Sequence, residues 1–338
     1  MINMLTMKRV RGAISSNRDA MDIIGGFFGL DVPNYGNFPY AESAHCAWLS
    51  SGRAAFECLL RSMPRPSRVW VPQYTCDTVL QPLHRMQLPV LRYELDEEWM
   101  PMLPDDLCDD DIILVTNYFG LTGEAVAKTA SAYPGRCIVD ATMALFAPPP
   151  EGVPTFYSLR KFAAVPDGGV ACAPFPIRLP EQEDRSAARA LYLLERLESG
   201  AEAALPASEC AEKELSAAPR RMSPLTRRML HGIDWDVVAK RRIRNYLNLH
   251  EKLAPLNRLT LPETPPSAPF CYPFLSGLPG LRDALIDAGM ALPVFWPEVI
   301  HATSAVSPAN VLSRKLLPIP LDQRYDAAQI LSRIEKCL

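Results

Sequence analysis

The chain has no apolar run long enough to cross a bilayer, no Cys-x-x-C pair and no surplus of positive charge. A membrane span needs about 20 predominantly apolar residues, and no such segment occurs. Lys8, Arg9 and Arg11 near the start are not followed by the apolar block of a secretory leader. A soluble, cytoplasmic protein is expected, neither exported nor anchored. Nine cysteines and five histidines show no metal-ligand spacing, so no metal is expected and the cysteines read as reduced thiols, mostly in the core. A net charge of -3 gives no basic footprint for nucleic acid. The cluster Lys240, Arg241, Arg242 and Arg244 is accordingly taken as a solvated or intersubunit helix face.

What is present is 338 residues, 48% of them apolar, enough to bury a large core in one major and one minor domain. Short apolar runs at 68–71, 89–93, 112–116, 137–139, 155–157 and 170–173 are strand-like, and helical patterns follow Ser51, Asp77 and Glu124. That alternation predicts an α/β fold, a mainly parallel sheet with helices on both faces. Ligands in such sheets sit at the C-terminal strand ends. Beyond Pro180 the pattern becomes helical and charged over 181–200 and 207–218, with Pro206 and Pro219 as breaks, and a long amphipathic helix over 234–253. A smaller C-terminal α+β domain follows: an apolar segment at 270–275, a helix over 280–288, strands at 292–295 and 316–319, and a closing helix over 325–337. The expected divisions are an N-terminal segment (1–44), a large domain (45–235), and the long helix with the small domain (236–338).

Three features within thirty residues carry chemistry. Asp140 closes the apolar run Cys137-Ile138-Val139, so a buried strand delivers a carboxylate at its C-terminal end. Lys161 follows a second such run, Thr155 to Arg160, and the chain then turns through Pro166-Asp167-Gly168-Gly169. An amine that can condense with an aldehyde, and a carboxylate that can keep a pyridine nitrogen protonated, are the two groups pyridoxal 5'-phosphate needs. Upstream, Ser50 or Ser51 can cap a helix opened by Gly52 and Arg53, whose first N–H groups suit a phosphate. The five histidines are read as bystanders.

In this order the motifs resemble the DegT/DnrJ/StrS-type sugar aminotransferases. The matching stretches are Ile23-Ile24-Gly25-Gly26-Phe27-Phe28, Ser51-Gly52-Arg53-Ala54-Ala55, Val71-Pro72-Gln73-Tyr74-Thr75, the Asp140 strand end, Ser158-Leu159-Arg160-Lys161 with Asp167-Gly168-Gly169, and a late Arg241-Arg242 helix. The resemblance implies the fold type I of pyridoxal-phosphate enzymes, with a sheet of the seven-stranded type. It also implies transfer of an amino group from an amino-acid donor to a keto acceptor, a nucleotide-linked keto sugar, with Lys161 and Asp140 catalytic. It further implies a homodimer, with residues 223–228 as the segment reaching toward the partner's cofactor. The chain departs from the family at three positions. Met143 stands where relatives carry His or Gln, Cys76 stands at the usual aromatic lid, and Phe156 replaces a Ser five residues before the Lys. Tyr74 or Tyr118 then takes the stacking role, and Ser158 or Arg160 the phosphate contact. Two alternatives stay open: a degenerate cofactor-binding scaffold without transaminase activity, and a dehydratase or lyase. The dehydratase variant of the family carries His in place of the Lys that is present here.

Overall fold

Ile112 to Val115 is apolar at consecutive rather than alternate positions, and all five residues to Thr116 are buried. A strand of that kind needs cover on both faces. The computed structural model describes residues 29–40, 45–215 and 218–338. Strands β1 (Cys46–Leu49), β2 (Val69–Pro72), β3 (Val90–Leu95), β4 (Pro101–Met102), β5 (Ile112–Thr116), β6 (Cys137–Asp140), β7 (Thr155–Ser158) and β8 (Gly169–Cys172) form one sheet in the order β1-β8-β7-β6-β5-β2-β3-β4. β3, β2, β5, β6 and β7 run parallel, while β8, β1 and β4 pair antiparallel with their neighbours. Alternate residues divide between two cores. Ile113, Val115, Val139 and Tyr157 enter one, and Ile112, Leu114, Ile138 and Phe156 the other.

The six expected strands are all present, with ends shifted by two residues at most. The sheet has eight strands rather than seven because β4, only two residues long, pairs onto β3. The helices are α1 (Gly52–Ser62), α2 (Leu80–Arg85), α3 (Gly123–Ala132), α4 (Leu191–Ala203), α5 (Leu205–Glu214), α6 (Pro224–His231), α7 (Trp235–Leu253), α8 (Leu281–Asp287), α9 (Pro297–Ala302), α10 (Pro308–Lys315) and α11 (Ala327–Ile334). The antiparallel pair β9 (Cys271–Leu275) and β10 (Leu316–Pro320) anchors a third core with α7, α8 and α11. The strand expected at 292–295 does not form, since Pro293 supplies no N–H to a ladder. The helical stretch does break beside Pro206, at Ala204 between α4 and α5, and Pro206 sits in the first turn of α5, where a missing N–H costs nothing. Residues 29–32 belong to a separate N-terminal unit (Met1–Val32) and form no helix or strand. The Ile23 to Phe28 motif lies outside the described residues.

Two readings of the sequence are corrected. Arg242 is not solvated: α7 buries Trp235, Val238, Arg242, Asn245, Tyr246, Leu249 and Leu253, one face at helical spacing, and Arg242 falls on it. Its guanidinium donates to the carbonyls of Pro269 and Phe270 (3.0 Å each) and to Gln323 Oε1, over the ring of Phe162. Burial lowers its pKa to about 10. The cysteines are not all reduced thiols: Cys46 and Cys172 form a disulfide. The two are directly opposite in the β1–β8 ladder, at a pair whose neighbours His45 and Ala173 carry the hydrogen bond. Non-hydrogen-bonded pairs bring the Cα atoms closest, here to 4.2 Å. The remaining seven cysteines are free. Alkylation of the unfolded chain should therefore mark seven of nine cysteines without reductant and nine after reduction, read by intact mass; nine in both would remove the bridge.

Candidate active site

The carboxyl end of β6 delivers Asp140 as the sequence suggests, and the chain doubles back immediately. Thr142 N–H donates to Asp140 Oδ1 (2.9 Å), and Thr142 Oγ1 accepts from Lys161 Nζ (2.9 Å). Thr142 thus ties together the two groups picked out in the sequence, from strands that run side by side. They face a cavity of about 400 Å³. Burial raises the Asp140 pKa, against the pull of Lys161 and the Thr142 bonds. Lys161 opens onto the cavity but is walled by protein, and that desolvation lowers its pKa although Asp140 opposes it. Both shifts favour the neutral forms, so acetylation of Lys161 should rise with pH at a lower inflection than at exposed Lys128. A shared inflection in peptide-resolved labelling would contradict the desolvation.

The phosphate-like corner lies at the start of α1. Ser51 caps the helix through Oγ, accepting from Ala54 N–H (3.1 Å), which leaves the Gly52 and Arg53 N–H groups without helical acceptors. Gly169 explains its own presence: a Cβ there would stand 2.2 Å from the Ser51 carbonyl oxygen, so β8 can pass the helix start only without a side chain. Gly168 has φ +127, which no side-chain-bearing residue adopts readily. Asp167 is buried and accepts from Ser223 N–H (3.0 Å), Ser223 Oγ and Thr226 Oγ1, so it fixes the start of α6. Ser223 and Thr226, within the segment 223–228, are thereby tied to the turn before β8. Burial lifts the Asp167 pKa from 3.8 to about 6, ahead of the Ser223 bonds that lower it. Its folded value lies above the unfolded one, so the native chain binds more protons across that window and this contribution to stability falls as pH rises through it. Asp167→Asn should flatten that limb of the stability-against-pH curve measured by denaturant unfolding; an unchanged slope would assign it elsewhere.

Of the residues singled out in the sequence, Ser51, Gly52, Arg53 and Cys76 line the cavity, as do Met143, Ser158, Arg160 and Lys161 together with Asp140. Tyr74 and Tyr118 do not. Each is 1% exposed, and they stack on one another at 5.6 Å with the Tyr118 hydroxyl donating to the Tyr74 carbonyl (2.6 Å). Their rings turn inward to join Trp99 and Phe119 in a core aromatic cluster. The rings on the cavity instead come from the C-terminal part: Phe270, Phe295 and Trp296. Trp296 adopts a left-handed conformation (φ 56) at the start of α9, a strained geometry for a bulky residue. It, Thr142 and Glu212 were not singled out in the sequence. A polar residue two positions beyond Asp140 was the only local signal among the three. None of the histidines lines the cavity.

The sequence matches no protein-family model and no curated protein. The fold does have solved counterparts. DesV of S. venezuelae superposes with a TM-score of 0.62 at 17% identity, covering 88% of this chain and 84% of that one. The sugar aminotransferase CalS13 of Micromonospora echinospora gives 0.58 at 16%, covering 86% of each chain. A DegT DnrJ EryC1 StrS aminotransferase from Brucella abortus gives 0.55 at 15%, over 86% and 85%. The chain therefore has the α/β fold of these aminotransferases, with its mainly parallel eight-stranded sheet. Among the described residues no group of side chains suits a metal, and no helix is long and apolar enough to cross a membrane.

Proposed function

We propose that this protein is a divergent DegT/DnrJ/StrS-type aminotransferase that uses pyridoxal 5'-phosphate to move an amino group from an amino-acid donor to a keto sugar, nucleotide-linked. The observation that carries the reading is the convergence of Lys161 and Asp140 on one cavity whose far corner presents Arg53 and Arg160. The donor set suits the cofactor. A desolvated amine is available for covalent attachment, a buried carboxylate for a ring nitrogen, and the two guanidiniums at the corner already hold a carboxylate anion, that of Glu212. Bound there, pyridoxal phosphate would supply an electron sink for charge developing on the substrate carbon.

The chain's own residues have definable tasks in this reading. Thr142 Oγ1 orients Lys161 Nζ, and desolvation lowers the pKa of that amine, the direction a proton carrier at the substrate carbon needs. The Thr142 N–H fixes the Asp140 carboxylate in place. Ser158, Arg160 and the first N–H groups of α1 would hold the phosphate, and Phe270, Phe295 and Trp296 narrow water's access. Met143, 3% exposed, brings a thioether to the site where relatives carry a donor. The decisive experiment is a panel of amino donors mixed with cofactor-loaded protein, read by release of the matching 2-oxo acid. If none is released although the cofactor is bound, the scaffold reading replaces this one.

A two-fold homodimer is part of the proposal. α4 buries none of its residues in its own chain and exposes Leu191, Leu194 and Leu197, the kind of apolar surface a second subunit covers. A monomer by light scattering at micromolar concentration would contradict it.

A further inference from the structure

The corner of the cavity that suits a phosphate is already neutralised from within. Glu212, on α5, places its carboxylate against Arg53 (2.9 Å) and Arg160 (2.6 Å), and all three line the cavity. The arginines come from different elements, Arg53 from the first turn of α1 and Arg160 from the turn after β7. They are largely buried, with side chains 12% and 20% exposed, whereas the Glu212 side chain is 50% exposed. Two guanidiniums brought together under partial burial repel each other unless an anion stands between them. Gln81 Oε1 accepts from Arg53 (3.1 Å) but carries no charge. Glu212 is thus the anion that lets this corner exist without a ligand.

The helix that carries Glu212 is held lightly otherwise. Ala211 is the one buried residue of α5, and α4 before it has none. Gly200 interrupts α4 with φ 88 and ψ -176, a conformation open essentially to glycine alone. An ion pair at the end of α5, between Glu214 and Arg189, is longer at 3.5 Å. Few buried apolar contacts mark a segment that opens at low cost, and the pairing of Glu212 with the two arginines ties α5 to the cavity wall.

We propose that Glu212 is a displaceable internal counter-ion: a phosphate-bearing ligand enters the corner by taking Arg53 and Arg160 from this carboxylate, and α5 moves off the cavity as it does. This rests on the cofactor reading above for the identity of the ligand, but the exchange itself concerns any phosphate. A phosphate carries more charge than a carboxylate and three acceptor oxygens instead of two, so it can serve both guanidiniums and the N–H groups of Gly52 and Arg53 together. The exchange keeps the arginines paired before and after.

The test compares the full-length protein with Glu212→Gln, which keeps shape and removes charge, and Glu212→Asp, which keeps charge. Inorganic phosphate, pyridoxal phosphate and unphosphorylated pyridoxal are titrated by calorimetry and Trp fluorescence. We expect Glu212→Gln to bind both phosphates about tenfold more tightly, a difference of about 1.4 kcal/mol, with pyridoxal unchanged and Glu212→Asp within about twofold of wild type. The ligand-free Glu212→Gln protein should melt lower and recover on adding phosphate. In the wild type, phosphate should speed amide hydrogen exchange in residues 205–214. Equal or weaker phosphate binding by Glu212→Gln, or slower exchange in 205–214, would overturn the proposal by making Glu212 a fixed wall. The cofactor reading fails separately: neither protein would then attach pyridoxal phosphate at Lys161, while the variant still gained affinity for inorganic phosphate.

Discussion

Lys161→Ala should lose covalent attachment of the cofactor completely and slow the amino-donor half-reaction on the order of 10²–10⁴-fold, the range for removal of a positioned acid–base group. In the unmodified protein, borohydride reduction and peptide mapping should place a pyridoxyl group on Lys161. The expectation is specific to this lysine because of its surroundings, since the chain has eight. Lys128 is paired with Glu124 on an exposed helix face at 2.9 Å, and Lys240 is exposed on α7. Glu124 raises the Lys128 pKa, and neither lysine lines the cavity. Lys161 opens onto the cavity, where the surrounding protein lowers its pKa, and its amine donates to Thr142 Oγ1. Label on Lys128 or Lys240 instead would overturn the assignment.

Asp140→Asn should separate function from stability. The amide oxygen can still accept from Thr142 N–H, so the turn after β6 is retained. A neutral amide cannot hold a proton on a ring nitrogen, and turnover should fall on the order of 10²–10³-fold, the scale of losing one preorganised electrostatic contact. Cofactor affinity should fall less than turnover. Stability should move the other way. The carboxylate is buried and its pKa raised by desolvation, so removing its charge takes away a cost, and thermal unfolding of the cofactor-free variant should come at or above the wild-type temperature. Undiminished 2-oxo acid release would mean that Asp140 only shapes the turn. A clear fall in melting temperature would mean that its charge, and not its shape, supports the fold.

The sheet was legible in the sequence because its central strands are continuous apolar runs, and Asp140 and Lys161 were legible because each ends such a run. Edge elements were harder to read. β1 alternates half-buried and buried residues instead of forming a continuous apolar run, and β4 has only two residues, too few for a period to register. Arg242 was misjudged because a cationic cluster signals solvent, whereas the face of α7 on which it falls is settled only by packing against Phe162 and the carbonyls at 269 and 270. The disulfide followed the same logic, since Cys46 and Cys172 lie 126 residues apart and become neighbours only through strand register.

The sequence by itself determined the α/β alternation, the carboxylate and the amine at two strand ends, and the Pro166 to Gly169 turn. These are local properties: periodicity, burial and backbone conformation depend on neighbours along the chain. Only the tertiary structure decided that Tyr74 and Tyr118 turn into the core while Trp296 and Phe295 face the cavity, that Thr142 joins Asp140 to Lys161, and that Glu212 stands between Arg53 and Arg160. Those contacts join residues far apart in the chain, as Arg53 and Glu212 are at a separation of 159, and side-chain direction and charge pairing at that distance are set by packing rather than by sequence spacing.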